Sequence, residues 1–264
     1  MSTGSTGQAA HPDVVVVGGG IGGLSSAYAL ATAGRRVRVL EQSPTFAEVG
    51  AGLQLGPNAT RILREWGLLD EVVSAGVLPR RLVLKDALDG SELTHLDLGQ
   101  GFLDRYGAPY VVIHRSDLLD ILYRACERAG IEMVTNARVL RVDTGPESAA
   151  AITGDAAHPM LQYLAQGACQ AIEDAWTLAA QAPSRGCDGP DEWQQALASY
   201  EKLRTERTAQ VQLTARAWGD LWHCDGLTRA LRNELLRDRD PADYKHIDWL
   251  YSPAVAGGVV SLPV

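Results

Sequence analysis

The segment Asp13-Val14-Val15-Val16-Val17, followed at once by Gly18-Gly19-Gly20-Ile21-Gly22-Gly23, constrains this chain more than any other. A β-branched run that is apolar at successive positions predicts a central parallel strand, buried on both faces. Small residues from Leu24 to Ala33 predict a helix closed by Gly34, and Val37 to Leu40 predict a second strand ending at Glu41. Glycines alone often mark only a turn, but here strand, loop, helix, strand and terminal acid agree on a dinucleotide-binding βαβ unit. Gly18 permits the tight turn, Gly20 lets the backbone approach a pyrophosphate, and Gly23 lets the helix pack closely on the sheet. Gly22 lies in the helix's first turn, whose free N–H groups at the positive end of the dipole receive phosphate charge. Glu41 is placed to accept bonds from adenosine ribose hydroxyls, which disfavours a 2′-phosphate there.

Beyond this unit the pattern is mixed. Pro57 to Gly67 and Leu68 to Ala75 read as helices; Arg81–Lys85, Leu93–Leu96 and Tyr110–Ile113 read as strands, separated by turns at Asp89-Gly90 and Gly99-Gln100-Gly101. Ser116 caps a helix running to about Arg128, and Ile131–Val134 and Arg138–Val142 have strand character. The run Gly145-Pro146-Glu147-Ser148-Ala149-Ala150-Ala151 looks like a linker or a join. Trp193, Leu197, Tyr200 and Leu203 share helical spacing from Asp191 and read as packing, while Arg229 to Asp243 alternates in sign as a solvated face does.

The net charge of −8 argues against a nucleic-acid partner, which needs a basic stripe. Cys126, Cys169, Cys187 and Cys224 include no CxxC pair, and His223 beside Cys224 is not a metal spacing, so no metal site is expected. No apolar run approaches the roughly 20 residues that span a bilayer. These features point to a disordered lead over residues 1–12 and a cytoplasmic, enzyme-sized body with reduced thiols.

Three segments together carry a resemblance. They are the glycine loop with Glu41, the stretch Glu48 to Asn58 (EVGAGLQLGPN) with His114-Arg115-Ser116-Asp117-Leu118, and Gly154-Asp155-Ala156-Ala157-His158-Pro159 with its continuation to Ala175. On these the chain resembles the FAD-dependent single-component aromatic hydroxylases, nearest to the salicylate hydroxylase and 3-hydroxybenzoate 6-hydroxylase branch; Tyr200 through Trp249-Leu250-Tyr251 is also similar. The resemblance implies an α/β chain with a Rossmann-like FAD-binding fold of the glutathione-reductase type, a partial substrate-binding sheet and a C-terminal helical region. Domain by domain, it implies an FAD-binding βαβ unit with helices over 13–80 and partial substrate-domain strands over 81–115. The rest of the FAD-binding domain follows over 116–182, and the C-terminal helices over 183–264.

The same resemblance implies FAD as the tightly bound cofactor and NADH as its transient reductant. The implied activity is a monooxygenase of aromatic catabolism, acting with dioxygen on a small phenolic acid such as 3-hydroxybenzoate or salicylate. Asp155 takes the sugar and ribityl region, Arg115 contacts the flavin, and a helix opening at Ala165 to Ala168 (with Gln166 and Gly167) faces the flavin's pyrimidine end. A cation at a helix start lies at the unfavourable end of the dipole, which independently favours a bound-anion role for Arg115. Gln162, in a Gln-Tyr pair, matches a glutamine that holds the aromatic substrate, whereas His158 reads as a turn former rather than a base.

One departure from the family is large. A long middle segment, carrying much of the substrate sheet, an Asp-Gly motif and the histidine that activates the substrate phenol, is missing: the chain passes from Val142 to Gly154 in a dozen residues, which places an internal deletion near 144–152. No remaining residue stands out from sequence as that base. A catalytically defective flavin-binding remnant and an NAD-linked dehydrogenase therefore stay open as alternatives. The oligomeric state is also open, a homodimer among the choices.

Overall fold

The computed structural model describes residues 13–46, 50–146 and 148–252. The lead over 1–12 and the start of the second motif at Glu48-Val49 lie outside these residues. Strands β1 (Val14–Val17), β2 (Val37–Leu40) and β7 (Glu132–Val134) form a parallel sheet in the order β1-β2-β7. Helix α1 (Ile21–Thr32) crosses from β1 to β2 and packs against α5 (Arg115–Arg128) and α6 (Gly167–Gln181). Leu24, Val39, Leu122, Cys169 and Ile172 are all fully buried in the core they share. Each such aliphatic side chain contributes about 1.5–3 kcal/mol relative to exposure.

Two antiparallel pairs stand apart from this sheet: β3 (Gly52–Leu55) with β6 (Val111–His114), and the hairpin β4 (Arg81–Lys85) with β5 (Glu92–Asp97). Helices α2 (Pro57–Glu65) and α3 (Leu69–Ala75) precede the hairpin, and α4 (Gln100–Tyr106) follows it. The 33-residue α7 (Pro190–Trp222), α8 (Gly226–Arg237) and the single turn α9 (Asp248–Tyr251) close the chain. A second cluster, built on Phe102, Tyr106, Tyr110, Tyr244 and Tyr251 in edge-to-face contacts, joins α4 to α9.

Several sequence expectations need correction. β1 is not central. Among the described residues it pairs only with β2, and Val15 and Val17 are half-exposed, because no strand lies on its outer side. Residues 138–142 and 149–153 form no strand, and Leu140 (85%), Val142 (63%) and Ile152 (68%) face solvent. An apolar run becomes a strand only where a ladder partner exists. Gly99 is not a turn centre but the extended N-cap of α4, which ends on the left-handed Gly107. Ser116 does not cap α5; the extended His114 holds that position, and the Ser116 hydroxyl lies 2.7 Å from His114 Nδ1. Helix α6 opens at Gly167, after Ala165 takes a left-handed φ of 52°. Leu203 is exposed, and the buried face of α7 instead passes through Ala196, Tyr200, Arg204, Arg207 and Val211. The 229–243 stretch is only partly solvated: Arg232 is buried, and Arg229 pairs with the buried Asp86 at 2.6 Å.

Candidate cofactor and substrate site

The glycine loop behaves as its spacing dictates. Gly18 turns off β1 with φ +101°, a conformation that costs other residues dearly. A Cβ on Gly23 would lie 1.9 Å from the Gly18 carbonyl oxygen, so the close approach of helix and strand admits no side chain. Gly22 faces Ala171 of α6, where a Cβ would sit 3.5 Å from the alanine methyl. Gly20 is the N-cap of α1, and no side chain caps that helix, which leaves its first turn to an anion.

Glu41 ends β2 beside this loop. Its Oε2 accepts from the Gly19 N–H at 2.7 Å and its Oε1 from the Ser43 N–H at 2.8 Å. Burial pushes the carboxyl up, but the bonds from Ser43 and Gly19 outweigh it and hold the group below its ordinary range, as a permanent anion at neutral pH.

One cavity of about 2170 Å³ brings the remaining candidates together. Gly18, Gly20, Gly22, Gly23, Arg115, Asp155, Gln162, Gln166, Gly167 and Ala168 all line it; Glu41 does not, and its carboxylate is bonded to the Gly19 and Ser43 N–H groups beside the loop. The cavity exceeds the roughly 300–1,000 Å³ of a small-ligand pocket, as an elongated dinucleotide with an adjoining substrate requires. Arg115 is the first residue of α5 and lies against Gly50, where an added Cβ would meet its side chain at 3.0 Å. Asp155 sits in the single-turn helix Gly154–Ala156, which starts on a left-handed Gly154, and its Oδ1 lies 3.5 Å from where a Gly167 Cβ would be. Asp155 is thus placed by a glycine turn.

What holds that turn is a buried charge network that sequence reading missed. Asp174 Oδ2 accepts from the Gly154 N–H at 2.7 Å and from His158 Nε2–H at 2.6 Å, while its Oδ1 accepts from Arg204 Nε at 2.6 Å. Glu173 accepts from Arg204, Arg207 and Asn58 Nδ2. Asn58 also donates to Gln166 Oε1 at 2.9 Å, which ties the second motif to the start of α6. Burial raises the Glu173 carboxyl, but the Arg204 and Arg207 guanidinium groups prevail and hold it at about 2. His158 is therefore more than a turn former, since its ring is buried against Asp174. The only sequence signal for the network was Glu173-Asp174 on one helix and Arg204 with Arg207 on another.

No group of three or more His, Cys, Asp or Glu among the described residues is placed to hold a metal ion. No helix among them is long and apolar enough to cross a membrane.

This combination, a βαβ glycine loop and a distant Gly-Asp turn opening on one cavity, has the features of a dinucleotide cradle. The chain matches the FAD binding domain family over residues 11–153, and it belongs to that family. It is 28% identical to a 3-hydroxybenzoate 6-hydroxylase of Polaromonas naphthalenivorans (strain CJ2), covering 90% of this chain and 95% of the relative. It is 26% identical to a 3-hydroxybenzoate 6-hydroxylase of Klebsiella oxytoca, covering 90% and 96%. The first of these alignments spans 384 positions against a chain of 264 residues, so it crosses positions that this chain lacks. Among solved structures, HpxO of Klebsiella pneumoniae complexed with FAD and uric acid superposes with a TM-score of 0.74 at 17% identity, covering 90% of this chain and 97% of that one. The tetrameric form of 2-methyl-3-hydroxypyridine-5-carboxylic acid oxygenase superposes with a TM-score of 0.67 at 17% identity, covering 90% and 98%. The α/β, FAD-binding-domain fold expected from the sequence is thereby established.

Proposed function

We propose that the chain is a flavoprotein monooxygenase that hydroxylates a phenolic aromatic acid, with FAD bound and NADH as the reductant. The observation that carries this reading is the convergence of Gly18, Gly20, Gly22, Gly23, Arg115, Asp155, Gln162 and Gly167 on one cavity in a chain of the FAD binding domain family. The kinship to 3-hydroxybenzoate 6-hydroxylases supports the substrate class, and the Gln162-Tyr163 pair favours 3-hydroxybenzoate over salicylate.

The residues present fit the cofactor. The uncapped first turn of α1 suits the diphosphate, Glu41 the adenosine ribose, Asp155 the ribityl region, and the start of α6 at Gly167 and Ala168 the flavin's pyrimidine end. When bound, the flavin supplies the redox and oxygen chemistry. The protein's own part is different. Arg115 supplies a fixed positive charge beside the cofactor, Gln162 orients the aromatic acid, and the α7 wall with Trp218 and Trp222 closes one flank of the cavity. Val14 to Val17 of β1 also line the cavity, and among the described residues β1 has no outer neighbour to exclude water there.

The test is NADH oxidation by the FAD-loaded chain with and without 3-hydroxybenzoate, with product identified by mass. Stimulated oxidation and a product one oxygen heavier are expected. Retained flavin with no stimulation and no product would instead mark a binding remnant.

A further inference from the structure

Four buried side chains, Glu173, Gln170, Asn58 and Gln166, form a hydrogen-bonded chain whose polarity is set from one end. Glu173 stays ionised because Arg204 and Arg207 donate to its oxygens. A carboxylate only accepts, so the atoms of Asn58 and Gln170 that meet its Oε1 are the amide nitrogens. Arg204 fixes Gln170 a second time, since a guanidinium only donates and its Nη2 reaches Gln170 Oε1 at 2.7 Å. Asn58 keeps this orientation even though, among the described residues, its own Oδ1 is buried without a partner.

The second hydrogens of the two amides converge on Gln166. Asn58 Nδ2 and Gln170 Nε2 donate to its Oε1 at 2.9 and 3.1 Å. An atom that meets two donors is the oxygen, so Gln166 Nε2 faces the other way. There it gives one hydrogen to the Leu164 carbonyl at 3.4 Å, and among the described residues no acceptor takes the other. Gln166 is buried yet lines the cavity, as the N-cap of α6. No side chain caps that helix, so its first-turn N–H groups and the Gln166 amide present donors at one place.

We propose that Glu173, through Asn58 and Gln170, is a positioning residue that turns the Gln166 amide donor-first into the cavity, where it holds a carbonyl or carboxylate oxygen of the bound ligand. This deepens the flavoprotein reading above and rests on it. The oxygen comes either from a ring carbonyl of the FAD or from the carboxylate of the aromatic acid. Either source satisfies a buried donor that an apolar group would leave unpaired, which is a means of discrimination. An unlocked Gln166 could turn its own oxygen to the cavity and repel the same ligand atom.

The experiment follows the isotope-labelled side-chain amide of Gln166 by NMR while FAD, and then 3-hydroxybenzoate, is added to the chain. Its signal is assigned through its own side-chain carbons and checked by its loss in Gln166→Met. The signal should move at the FAD step if the partner is a ring carbonyl, and at the acid step if it is the carboxylate. The Kd of the ligand that moves it should rise about tenfold or more in Gln166→Met. It should rise about threefold or more in Gln170→Met, which keeps Gln166 but removes part of its lock. A Gln166 signal unmoved at both steps overturns the contact and leaves the flavoprotein reading standing, even if the variants melt at lower temperature; this result needs only the wild type. A Gln170→Met chain with the wild-type Gln166 signal and ligand Kd overturns the positioning role. No FAD binding by the wild type overturns the flavoprotein reading, and the proposal with it.

Discussion

The two sides of the cavity are built differently. On one side α1, α6 and α7 meet through fully buried side chains and a closed charge network, with Leu24, Ile172, Glu173 and Asp174 wholly removed from solvent. On the other, among the described residues, β1 has no outer neighbour, and residues 138–146 and 148–153 carry exposed Leu140, Val142 and Ile152 without any strand pairing. The first side holds its geometry by close packing, which at Gly23 admits no extra methyl group. The second has the apolar residues of a core but not the partners. The packed side of the cavity can therefore be intact while the other side stays open.

The sharpest way to break this comparison is at Gly23. Gly23→Ala drives a methyl group into the Gly18 carbonyl and must part α1 from β1, so FAD affinity should fall by about 100-fold or more in a flavin fluorescence titration. Near-wild-type affinity would mean that the loop is not the phosphate site.

The glycine loop was legible in the sequence because all its determinants are local. A tight turn, a close approach and a helix start are fixed by residues within a few positions of one another, so Gly18 and Gly23 could be assigned their physical roles before any coordinates. Arg204 and Arg207 were not legible. Their partners Glu173 and Asp174 lie on another helix, and arginines at such spacing more often cover a solvated face. The strand expected over 138–142 failed for the complementary reason, since strand character is only a potential until a neighbour completes the ladder.

The network gives the next largest effect. Arg204→Met leaves Asp174 and Glu173 buried with part of their compensation removed. It should cost about 3–5 kcal/mol, read as a drop of roughly 10 °C or more in melting temperature.

Acid should expose the same feature. The Glu173 carboxyl is held at about 2 in the fold, below its unfolded value, so its contribution is present above the ordinary carboxylate range and is lost as pH falls toward about 2. Urea midpoints measured from pH 6 down to pH 3 should fall for the wild type. Glu173→Gln should begin less stable and show a shallower fall; an unchanged slope would remove Glu173 from the account.

The smallest effect belongs to the open side. Val142→Ser and Ile152→Ser should each shift stability by less than about 0.5 kcal/mol, because neither side chain is buried. A loss above about 2 kcal/mol at either position would show that this segment is packed in solution.

The central claim is that the cofactor side of the cavity is complete despite the open side, and flavin retention tests it most directly. The chain is incubated with FAD, freed of excess by gel filtration, and its flavin-to-protein ratio taken from the absorbance spectrum. The account predicts one FAD per chain. A colourless protein of unchanged fold would contradict it.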